Sequence, residues 1–181
     1  MNRRFALVCV GALVVLPLTG RLAQAADPAG PESQRRLHLT NLHGGDQLTV
    51  TFNDEHDVAQ DAVVALQHLL RDYRANEEHA MDFGLFIQLT DLARECGVPA
   101  NFEVISGYRS PGTNEKLRAA GHGVAEHSQH TLGRAIDVRL RDCPLGKLHE
   151  RALAAHRGGV GYYPRSNFVH LDTGRVRSWQ E

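Results

Sequence analysis

The sequence predicts an α+β domain: a largely antiparallel sheet with flanking helices. Three observations carry this. Helical-period apolar runs come early, strand-like runs come mostly late, and no regular βαβ alternation joins them. The 181 residues suit one domain, and 42% hydrophobic with 23% charged residues is ordinary globular composition.

Residues 1–25 read as a secretory signal, with Arg3 and Arg4 ahead of an apolar run from Phe5 to Leu18 and a small-x-small site at Ala23-Gln24-Ala25. That run is short for a membrane span and Pro17 interrupts it, so no stable membrane insertion is expected after cleavage. Asn2-Arg3-Arg4-Phe5 also resembles a twin-arginine signal. The expected destination is the periplasm. Residues 26–36 read as a linker, with two prolines and a glycine between Asp27 and Gln34, and residues 37–181 as the domain.

Within the domain, Leu37 to Phe52 alternates around Gly44-Gly45, which predicts a β-hairpin. Val58 to Tyr73 places apolar residues at 59, 62, 63, 66, 69, 70 and 73, a helical stripe. Asp82 to Cys96 repeats the pattern through Phe83, Phe86, Leu89 and Leu92-Ala93 until Gly97 and Pro99 stop it. Phe102 to Ile105 is a short strand, Asn114 to Ala120 a short helix, and Arg134 to Leu140 a strand. Leu145 to His156 is a helix closed by Gly158-Gly159, and Asn167 to Asp172 the last strand.

Charge narrows the function. Losing Arg3, Arg4 and Arg21 with the signal leaves 17 of the 20 basic residues against 21 acidic ones, and no basic run interleaves with aromatics, so nucleic acid is not an expected partner. Cys9 leaves with the signal, and Cys96 and Cys143 remain, either as a bridge or as two thiols.

The chemistry gathers in Ser128-Gln129-His130-Thr131-Leu132-Gly133-Arg134-Ala135-Ile136-Asp137 and in Phe168-Val169-His170-Leu171-Asp172. Period two puts Ile136, Val138 and Leu140 on the core face of one strand and Asp137 on the other; in the later strand Val169 and Leu171 face the core while His170 and Asp172 face away. If the strands are neighbours, Asp137 and His170 converge, with His130 brought in over Gly133. Two histidines and one carboxylate are a known ligand set for an open zinc site.

The Ser-x-His-x2-Gly-x-Ala-x-Asp segment resembles the signature of the zinc D-Ala-D-Ala metallopeptidases, which have the hedgehog/DD-peptidase fold. Ser106-Gly107-Tyr108-Arg109-Ser110-Pro111 resembles the upstream arginine motif of that family. More closely, the chain resembles the periplasmic murein endopeptidase K-like branch, through Asn41-Leu42-His43-Gly44-Gly45, Arg71-Asp72-Tyr73-Arg74, Gly123-Val124-Ala125 and the run from Gly158 to His170. The resemblance spans roughly residues 35 to 179.

It implies one zinc ion on His130, Asp137 and His170, with Arg109 steadying the oxyanion, and cleavage of amide bonds in peptidoglycan stem-peptide cross-links. Which cross-link is cut stays open. Many relatives place a glutamate three residues before the last ligand or a histidine two before it; Asn167 and Phe168 stand there instead. Asp172 is the substitute candidate, either as general base or as the carboxylate that orients the His170 ring. His127 is another candidate base or substrate contact, against a plain loop histidine. Ser128 is a candidate substrate contact, against turn capping; Tyr162 and Tyr163 could wall the cleft or pack on the sheet, core packing being the safer reading for one of them, and Tyr162 is taken as the substrate contact. The missing glutamate also motivates a non-catalytic zinc-containing murein-binding module, and the 11 histidines a metal-storage protein holding several ions.

Overall fold

The computed structural model describes residues 34–54, 58–121 and 123–181. The expected signal and residues 26–33 of the expected linker lie outside them. In chain order the elements are β1 (Gln34–Asn41), β2 (Gln47–Asn53), α1 (Gln60–Leu69), α2 (Phe83–Cys96), β3 (Asn101–Ser106), α3 (Pro111–Ala119), β4 (Ala135–Leu140), α4 (Leu145–Ala155), β5 (Gly159–Tyr163), β6 (Phe168–Asp172) and β7 (Arg177–Gln180), with a short 3-10 turn at Gln129–Leu132 ahead of β4.

The seven strands form one sheet in the order β2-β1-β3-β4-β6-β5-β7. The sheet is mixed, which corrects the antiparallel expectation. β1 runs parallel to β3, and β5 parallel to β7, because each pair is joined by a crossover rather than a hairpin. The α+β class holds.

The strand faces follow the alternation. Ile136, Val138, Val169 and Leu171 are fully buried with Leu37, Leu39, Phe102 and Val104 against Leu85, Leu89 and Leu92 of α2 and Leu148 and Ala152 of α4. Removing apolar surface of this kind from water contributes about 25 cal/mol per Å². An ionic cluster around one buried carboxylate clips the periphery: Asp91 of α2 takes Arg35 of β1 at 2.6 Å and the more exposed Arg94 at 2.7 Å and Arg157, beyond α4, at 2.6 Å.

Several boundaries differ from expectation for identifiable reasons. α1 stops at Leu69, not Tyr73, because Asp72 accepts from the backbone N–H of Arg74 and Ala75 and folds that stretch into a turn. α3 begins at Pro111, three residues early, with Ser110 as N-cap accepting from Thr113 N–H and proline in the first turn. β1 begins at Gln34, inside the expected linker. β5 and β7 were not expected, so β6 is not the last strand: Gly158-Gly159 reads as a helix stop, and Arg177-Ser178-Trp179-Gln180 carries no apolar alternation. Cys96 and Cys143 are free thiols, and burial together with the neighbouring Cys143 pushes the Cys96 thiol up to about 12.

Candidate metal centre and cleft

The centre is built along one row of the sheet. Asp137 of β4 pairs in register with His170 of β6, His170 with Gly161 of β5, and Gly161 with Trp179 of β7. This is the face away from α2 and α4. His130 enters from the 3-10 turn, whose N-cap Ser128 accepts from His130 N–H at 3.3 Å. The turn exits through Gly133 at φ +66, where a Cβ would lie 2.1 Å from the Ala80 carbonyl oxygen, so only glycine lets the chain swing into β4.

Three ligand atoms converge. His170 Nδ1 lies 2.8 Å from Asp137 Oδ1 and 3.2 Å from His130 Nε2, and His130 Nε2 lies 3.3 Å from Asp137 Oδ1. All three residues are buried. The far ring nitrogens are also engaged, and they fix the tautomers. His130 Nδ1–H donates to the Gly107 carbonyl at 2.7 Å, and His170 Nε2–H to Asp172 Oδ2 at 3.1 Å. Two imidazole lone pairs and a carboxylate oxygen are then aimed at one point, which is repulsive unless a cation lies among them. Ligand bonds of about 2.0–2.1 Å give a tetrahedral edge of roughly 3.3 Å, close to these separations. The residues fit a divalent metal. Without one, a proton on His170 takes its place: burial would lower the His170 pKa, but Asp137 and Asp172 outweigh it and raise it to about 9. Burial opposes ionisation of Asp137, yet the two imidazoles hold its carboxyl well below the usual range.

Asp172 is fully buried and spoken for. Oδ1 accepts from Gly159 N–H at 3.0 Å, Gly174 N–H at 2.8 Å and Arg177 at 3.1 Å, while Oδ2 accepts from His170 and from Arg177 at 2.6 Å. Burial works against its charge, but these donors keep its pKa far below the carboxylate norm.

Arg109 lies on the β3–α3 loop, which is held on both sides. Tyr108 N–H donates to the Leu70 carbonyl at 2.8 Å, Ser110 N–H to Asp72 Oδ2 at 2.9 Å, and Arg109 N–H to the His130 carbonyl at 3.2 Å. Burial pulls the Arg109 pKa down, opposed by the nearby Asp137 charge, and its Nε is a buried donor without a protein partner.

A cleft of about 260 Å³ opens over the centre, lined by Arg109, His127, Ser128, His130, Asp137, Tyr163, Phe168, His170, Arg177 and Trp179 among others. Ser128 and His127 therefore reach it. Tyr162 does not: it lies on the opposite face of β5, stacked on His149 of α4 at 4.4 Å, and Tyr163 lines the cleft in its stead. Arg177 and Trp179 escaped sequence reasoning because β7 carried no readable strand pattern. Several of the dispersed histidines are engaged elsewhere: His43 stacks on Tyr73, His79 on Tyr108, and His68 pairs with Glu78. Among the described residues, His130, Asp137 and His170 are the one cluster of three potential ligands.

Fold and site define an α+β protein whose sheet carries a potential three-ligand metal centre at the floor of a cleft. The family model described as peptidoglycan L,D-endopeptidase MepK, in peptidase group M15, matches residues 29–179. The peptidoglycan L,D-endopeptidase MepK of Escherichia coli K12 is 46% identical over 145 residues, covering 80% of each chain, and that of Shigella flexneri is equally similar. The probable peptidoglycan L,D-endopeptidase MepK of Haemophilus influenzae is 41% identical over 147 residues, 81% of this chain and 79% of the relative. No solved structure gives a significant match. The chain belongs to the MepK family of M15 peptidases.

Proposed function

We propose that this protein is an exported, zinc-dependent peptidoglycan endopeptidase that cuts amide bonds joining an L-centre to a D-centre in stem-peptide cross-links. The observation that carries the reading is the convergence of three ligand atoms at the floor of an open cleft. The bond type rests on the names of the relatives, and the hedgehog/DD-peptidase fold on family membership. His130 Nε2, Asp137 Oδ1 and His170 Nδ1 would hold the metal. Bound there, zinc supplies an acidified water and a Lewis acid for the scissile carbonyl.

The protein's own groups do the rest. Gly107 and Asp172 hold the ring protons of His130 and His170 on the far nitrogens, leaving both lone pairs free for the metal. With five donors on its two oxygens, Asp172 acts through His170 as an orienting carboxylate rather than as a base. Arg109, whose backbone is tied to the His130 carbonyl, presents its guanidinium to the negative charge that develops on the carbonyl oxygen. Ser128 sets the His130 turn at the cleft wall.

The test is digestion of defined cross-linked muropeptides by the zinc-loaded protein. Expected are new amine termini at the L,D bond, one zinc per chain, and loss of cleavage on chelation. Intact dimers in the presence of one bound zinc would instead establish the non-catalytic murein-binding module, the reading favoured by Asn167 and Phe168 standing where many relatives carry an acid or base. Several ions per chain would revive metal storage.

A further inference from the structure

The row that holds the metal ligands continues past them. Gly161 sits opposite His170 on one side and Trp179 on the other. A Cβ on Gly161 would come within 2.6–2.7 Å of three indole atoms, Cε2, Cζ2 and Nε1. The glycine therefore exists as a footprint for the indole, which lies across β5 with its ring 5.1 Å from that of His170. From there Trp179 Nε1–H donates to Tyr163 Oη at 2.7 Å. Indole is a donor only, so the phenol oxygen must be the acceptor, and its own O–H stays available. No described residue accepts it. The Tyr163 ring is fixed from below by stacking on Phe168 at 4.5 Å. Tyr163 and Arg109 both line the cleft.

We propose that Tyr163 is a catalytic residue: its O–H, aimed by the Trp179 indole on the Gly161 footprint, donates to the carbonyl oxygen of the scissile amide beside Arg109. Trp179 is a positioning residue that acts through the Tyr163 oxygen. One guanidinium is a poor sole clamp on an oxygen whose charge grows during attack. A neutral donor pre-set by its neighbours adds stabilisation at little reorganisation cost. This inference rests on the endopeptidase reading.

The test uses Tyr163→Phe, which keeps the stack on Phe168 and removes only the hydroxyl. Expected is a fall in kcat of roughly 10²-fold, as for loss of an oxyanion donor, with KM little changed and zinc content intact. Trp179 is the single tryptophan of the chain, so its emission reports the link directly: in metal-free Tyr163→Phe, an indole deprived of its acceptor shifts to the blue. Trp179→Phe lowers kcat by a smaller factor, and the double variant is no slower than Tyr163→Phe alone. An active wild type with an equally active Tyr163→Phe overturns the inference while leaving the endopeptidase reading standing. A wild type that cuts no cross-link overturns both. Losses that multiply in the double variant overturn the positioning role of Trp179.

Discussion

Replacing Asp172 by asparagine separates two chemistries that look alike from sequence. The carboxylate accepts five hydrogen bonds at full burial, three on Oδ1 and two on Oδ2. Asparagine has one oxygen. If that oxygen stays under the Gly159 and Gly174 amides, its NH2 confronts His170 Nε2–H and Arg177, donor against donor. If the amide flips, the clash moves to the two backbone N–H groups. Each buried donor left unpaired costs about 1–3 kcal/mol, so two cost roughly 2–6 kcal/mol. The attraction to Arg177, whose side chain is 31% exposed against a fully buried carboxylate, is lost as well. His170 can relieve the clash by moving its proton to Nδ1, but that removes the lone pair the metal needs. Asp172→Asn should therefore weaken zinc binding about 10–100-fold, as loss of a ligand-orienting partner does, and lower the melting temperature. At saturating zinc most of kcat should return. Chelator-competition titration, thermal melts and turnover at saturating zinc measure the three quantities. Wild-type zinc affinity with hydrolysis abolished would refute the orienting role and restore Asp172 as the base.

Further outcomes follow from the same geometry. Arg109→Ala should retain zinc and lose about 10²–10³-fold in kcat. Asp72→Ala, which frees Ser110 N–H and the loop carrying Arg109, should lower kcat in the native background and have no further effect on Arg109→Ala, as a double-variant kinetic cycle would read. In the metal-free protein the His170 pKa is raised to about 9 from its ordinary 6.5, so His170 stabilises that form fully below pH 6.5, and the contribution is lost as pH rises through about 9. Zinc must displace the same proton, so zinc affinity should climb by roughly tenfold per pH unit across that window and flatten above it. Melts of chelated and zinc-loaded protein from pH 6 to 9.5, with zinc titrations alongside, check both signs.

Legibility in the sequence followed strand period. β4 and β6 alternate cleanly, so the convergence of Asp137 and His170, and the buried faces of Ile136, Val138, Val169 and Leu171, could be read from residue parity. Gly133 flagged the sharp entry of His130 because a positive φ there has few alternatives. The partners of Asp172 could not be read, since Gly159 and Arg177 belong to β5 and β7, a glycine-broken strand and a polar edge strand. The same gap misassigned Tyr162. Once β5 is recognised, parity with Gly161 places Tyr163, not Tyr162, above the cleft. The parallel pairings were illegible for another reason: they depend on crossovers between elements far apart in the chain, which local pattern does not encode.

The final strand concentrates dependence at the margin of the molecule. Four residues from Arg177 to Gln180 add little to the apolar interior, yet they deliver the counter-ion of Asp172 and the indole beside His170. A cut just ahead of Arg177 would thus silence the protein while its helices and central strands stay intact, although the backbone N–H of Glu181 also donates to the Tyr162 carbonyl and helps to hold the strand in place.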